Sequence, residues 1–122
     1  SYSVSNSSWQ PGSSWDAAAS LTIPRVPWAT RAVVLAGGSI TPRYDVNSGS
    51  PWCNGRMYCD GQYSPQMMSL MGSADVPAAI TWPFYVGSMG QFLSVSTQAY
   101  LASGAALSGG YAAVSAVVLW MR

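Results

Sequence analysis

Apolar and polar positions alternate along much of this chain. In "WDAAASLTI", Trp15, Ala17, Ala19, Leu21 and Ile23 share one parity while Asp16, Ser20 and Thr22 share the other. That period of two predicts a half-buried strand. Pro24 and Pro27 then block regular pairing, so "PRVP" reads as a connection. "ATRAVVLAG" predicts a second strand that stops at Gly37-Gly38, and "SITPRYDV" a third, interrupted by Pro42. Residues 47–75 read as one long loop. Its first part, "NSGSPWCNGRMYCDGQYSPQ", is rich in turn residues, and "MMSLMGSAD" suits a helical turn or two ended by Gly72. "PAAITWPFYV" returns to strand character, and "QFLSVSTQAYL" puts Leu93, Val95, Thr97, Ala99 and Leu101 on one face.

The closing "SGGYAAVSAVVLWMR" breaks the alternation, because both parities are apolar. A strand there needs cover on both faces, from a neighbouring subunit or loop, or the segment lies in a membrane. Ser103, Gly104, Ser108, Gly109, Gly110 and Ser115 interrupt the apolar run and argue against a membrane span. Gly109-Gly110 before a Val-rich stretch instead reads as a turn into a strand. At the other end, "SYSVSNSSWQPGSS" has the composition of an extended arm whose apolar members are Tyr2, Val4 and Trp9. It shows neither the charged nor the apolar region of a signal peptide. The expectation is an all-β protein, an antiparallel β-sandwich or small jelly roll. An N-terminal arm spans residues 1–14 and a single domain residues 15–122.

Composition sharpens this picture. Hydrophobic residues make up 49% of the chain and charged residues only 7%, against about 25% charged in ordinary soluble domains. The charges are Arg25, Arg31, Arg43, Arg56 and Arg122 against Asp16, Asp45, Asp60 and Asp75, with no Lys, Glu or His. A net charge of +1 gives copies of the chain little reason to repel one another. Five scattered arginines form no basic stripe, which excludes nucleic acid as the expected partner.

Catalysis is poorly provided for. Without His or Lys no Ser-His-Asp, Cys-His or Ser-Lys arrangement can be built. The four Asp sit beside turn residues or at element ends, where Asp is common for structural reasons. The chain is therefore read as a non-enzyme that uses no cofactor. Cys53 and Cys59 flank "NGRMY", where they could close a disulfide ring or remain free buried thiols. Two cysteines beside one Asp do not make a zinc site. Arg56, at the tip of such a ring, joins Tyr2, Val4, Trp9, Trp52 and Trp120 as a candidate partner-binding residue. Six tryptophans exceed what one small core encloses, so some belong to interfaces or a binding groove. Trp and Tyr on a β-sandwich can stack on sugar rings, but few polar residues neighbour these tryptophans in sequence. Subunit contacts explain them with fewer assumptions.

The uncharged Ser/Gly/Ala-rich β pattern, the arm "SYSVSNSSWQPGSSW" and the final "YAAVSAVVLWMR" together resemble the small virion proteins of tailed bacteriophages, particularly capsid decoration or cement proteins. The resemblance implies a homo-oligomer, often a trimer, assembled in the host cytoplasm. It would be seated on the outer capsid surface, bound to the major capsid protein and stabilising the shell. An arm of this kind can add a strand to a partner's sheet. The same features suit a receptor- or carbohydrate-binding domain of a tail fibre or lectin.

Overall fold

Strand follows strand throughout the described chain, as the period-two pattern requires. The computed structural model describes residues 2–7, 15–44, 52–70, 78–101 and 107–122, without the side chains of 42–44, 52, 67–70, 101 and 107–109. The strands are β1 (Tyr2–Asn6), β2 (Asp16–Pro24), β3 (Arg31–Tyr44), β4 (Trp52–Cys59), β5 (Gln62–Tyr63), β6 (Met67–Leu70), β7 (Ala78–Val86), β8 (Phe92–Leu101) and β9 (Leu107–Met121). They form two antiparallel sheets, one in the order β1-β9-β3-β7, the other β2-β8-β4-β5 with β6 also on β4.

The pairings are nested. β1 pairs with β9, β2 with β8, β3 with β7, and β4 with both β5 and β6. Pairs β3–β9 and β4–β8 stitch these into sheets. β5 and β6 are one return strand with a slip in register, since Tyr58 faces Tyr63 but Gly55 faces Met67. Ser64 spans the slip: its N–H donates to the Met57 carbonyl at 2.9 Å, and its Oγ accepts from the Met57 N–H at 2.8 Å. The side chain thus supplies an acceptor that the displaced backbone does not.

The sheets pack face to face on one core. The four-stranded sheet contributes mostly small side chains, Ala32, Val34, Ala36, Ala112, Val114 and Ala116, and the other sheet larger ones, Leu21, Ile23, Met57, Leu93 and Val95. Large against small gives close packing. Gly38 is the extreme case, because a Cβ there would collide with Met57 Sδ and Thr97 Oγ1. In its absence the buried Thr97 hydroxyl reaches across to donate to the Ala113 carbonyl at 2.8 Å.

Several expectations change. Residues 47–75 are not one loop, because β4, β5 and β6 lie within them. Cys53, Gly55, Met57 and Cys59 point inward and are buried, while Asn54, Arg56 and Tyr58 point outward. Gly55 is therefore a strand position, and the turn comes later at Asp60-Gly61. Both residues there have positive φ, 46° and 88°, which fits the two-residue hairpin turn that Asp-Gly favours. The helical turn expected at residues 67–75 is strand over Met67–Leu70, and residues 71–75 lie outside the described residues.

Nor does the second strand stop at Gly37-Gly38, since β3 runs unbroken from Arg31 to Tyr44. Pro42 lies two residues past Ile40, the last β3 residue in the described pairing with β7, and stays in register opposite Gly110 of β9. In β2 a bulge between Ala17 and Ala19 shifts the alternation, so Ala18 and Ala19 are both buried. Tyr2–Asn6 of the expected arm pair with β9 of their own chain, and the Asn6 side-chain amide donates to the Ala18 carbonyl of the opposite sheet at 2.9 Å.

Candidate functional site

The two outward faces differ in chemistry. On the four-stranded sheet, register aligns Leu119, Val33 and Tyr85 in one cross-strand row and Val117, Leu35 and Pro83 in the next. Leu119 is 62% exposed, Val117 54%, Tyr85 53% and Leu35 46%. Leu119 and Val117 are odd positions of the closing segment, so its double-sided apolarity is real: one side meets the core and the other faces outward. The next two rows are small, Ser3, Ser115, Gly37 and Thr81, then Ser5, Ala113, Ser39 and Ala79. With Tyr111 beyond them, they leave an open, hydroxyl-lined trough of about 570 Å³.

On the five-stranded sheet, Arg56 is held between two rings. Its Cζ lies 4.1 Å from the centroid of Trp15 and 3.9 Å from that of Tyr63. Its Nε donates to Gln98 Oε1 at 2.8 Å. Tyr100 packs edge-on against Trp15 with centroids 4.5 Å apart and accepts from the Asn54 side-chain amide at 2.8 Å. Tyr58 and Tyr63 meet at 5.5 Å. Cation–π contacts contribute about 0.5–1 kcal/mol at exposed sites and about 2 when desolvated. Two rings and one amide thus fix an otherwise flexible side chain in a single place.

The sequence candidates fall on different parts of this map. Arg56 sits at the centre of the aromatic cluster. Tyr2 and Val4 are partly exposed on edge strand β1. Trp120 is half-buried and packs against the chain's own core. Trp9 lies outside the described residues, as does the side chain of Trp52. Tyr58, Tyr63, Gln98 and Tyr100 escaped sequence reasoning. The outward parity of Asn54, Arg56 and Tyr58 was the available signal.

Cys53 and Cys59 are free and buried. Six positions apart on one strand, they stand about 20 Å apart, far beyond the roughly 7 Å that a disulfide spans between Cα atoms. Burial pushes both thiols up to about 12, with the Asp60 carboxylate adding to the effect at Cys59. Thiolate is the reactive form, so native protein at pH 8 should resist a thiol reagent and release two equivalents only on unfolding. Because the folded thiols ionise later than the unfolded ones, stability should be whole below pH 9 and fall between pH 9 and 12. Urea midpoints measured across that range check the sign.

No family model and no curated protein matches the chain. Among the described residues no group of three His, Cys, Asp or Glu could hold a metal, and no helix is long and apolar enough to cross a membrane.

Proposed function

We propose that this is a structural jelly-roll protein that acts by binding, associating with copies of itself and seating on a larger shell. The phage capsid surface is the seat that the sequence resemblance implies. The nested pairing supports the jelly roll, since it is one long antiparallel hairpin folded over so that its four ranks alternate between two sheets. Fold alone does not fix function. The observation that carries the reading is the doubly apolar β9, whose outer row Val117 and Leu119 adjoins Leu35 and Tyr85. Full burial of each such side chain contributes about 1.5–3 kcal/mol, and a net charge of +1 offers little repulsion against it.

Light scattering after size exclusion tests this. The wild-type chain should run as an oligomer, a trimer in the favoured form, and Leu119→Asp combined with Val117→Asp should run at the 12.9 kDa of one copy. A wild type that stays single at every concentration, or a variant that still assembles, would overturn the reading. The capsid step is tested by co-sedimentation with phage heads stripped of the protein.

A further inference from the structure

We infer that Arg56, with Trp15, Tyr63 and Gln98, forms a binding site for the carboxylate of an acidic sugar, on the sheet face opposite the proposed assembly surface. A guanidinium carries five N–H donors. One of them, on Nε, is taken by Gln98. No other hydrogen bond to Arg56 and no carboxylate within ion-pairing distance of it occurs among the described residues. Of the described acids, Asp16 is exposed at the start of β2 and Asp60 Oδ1 accepts the Ser94 N–H at 3.1 Å, and neither forms an ion pair with Arg56. The rings stacked over Arg56 close off its faces, so a ligand reaches it at the edge carrying the two terminal nitrogens. That edge matches a carboxylate in bidentate fashion.

The surroundings favour a sugar over a polyanion or an acidic peptide. The described side chains around Arg56 include no second cation, so the site suits one negative charge per ligand. Tyr63 is 52% exposed although Arg56 stacks on it and Tyr58 tilts against it, so the part of its ring that Arg56 does not cover offers an aromatic surface for the C–H face of a pyranose. Asn54, Gln98 and the tyrosine hydroxyls supply the polar complement that the sequence neighbours of the tryptophans lack. The cluster is also preorganised, which reduces the entropy lost on binding.

Isothermal titration with glucuronate should give saturable binding on the order of millimolar, with glucose and N-acetylglutamate amide each at least about tenfold weaker. Arg56→Lys keeps the charge but not the fork, and should lose about tenfold or more for glucuronate. Tyr63→Ala should weaken it severalfold, with both variants still folded and unfolding cooperatively in urea. Equal binding of glucose would show that the charge is irrelevant. Equal binding of the amide would show that the sugar ring is, and undiminished binding by Arg56→Lys would remove the fork. Each result overturns the assignment. The Leu119→Asp, Val117→Asp variant should bind glucuronate as the wild type does, so failure of assembly and failure of this site are separable.

Discussion

Gly38→Ala is expected to lower stability by about 1–3 kcal/mol, whereas Gly37→Ala, one residue earlier, should change it by no more than about 0.5 kcal/mol. The two glycines are adjacent in sequence but point to opposite faces of β3. A Cβ at Gly37 points outward and lies 3.0 Å from Ser115 Oγ, an exposed hydroxyl whose hydrogen bond to the Gly37 carbonyl is long, 3.5 Å, and can give. At Gly38 the added carbon enters the space held by Met57 and Thr97, both fully buried. The Thr97 hydroxyl would have to leave the Ala113 carbonyl, which costs about 1 kcal/mol or more if either group stays buried and unpaired. Urea unfolding monitored by tryptophan fluorescence reads the difference. Equal midpoints for the two variants would mean that the sheets do not approach closely at Gly38.

Met57→Ala should be the most damaging single truncation, costing about 2–5 kcal/mol. The side chain is fully buried in the middle of the core, against the backbone of the opposite sheet. Its loss leaves a cavity that the paired strands on either side cannot collapse to fill. Combined with Gly38→Ala the loss should be smaller than the sum, by about 0.5–3 kcal/mol, because the new methyl occupies part of the vacated space. Additive effects in the same titration would show that Met57 and residue 38 do not share that space.

Where alternation was clean, the sequence was legible. β8 buries Leu93, Val95, Thr97 and Ala99 as its pattern required, and the closing stretch is the two-sided strand that its composition demanded. The central strand β4 was misread because Asn54-Gly55 carries the same turn chemistry as Asp60-Gly61, and local propensity cannot say which pair sits at the bend. The opposite sheet settles the matter, since β8 holds Asn54 and Gly55 in register against Tyr100 and Ala99. Gly37-Gly38 misled for a related reason. Glycine marks a stop when the chain must turn, but here it marks a place where something else must come close. The aromatic cluster around Arg56 was out of reach, because Trp15, Arg56, Tyr63 and Gln98 come from four different strands or their flanks. Only pairing brings them together.

The nested ladder also orders events during synthesis. β4, β5 and β6 are near neighbours in the chain and can pair as soon as they are made, while β1 must wait for a partner more than a hundred residues later, Tyr2 lying opposite Ala116. β9 runs between β1 and β3, so the four-stranded sheet stays split, with its inner surfaces open, until Met121 has been joined to the chain. Such distant closures are slow, and through that interval β3 carries the unpaired edge that β9 will later occupy.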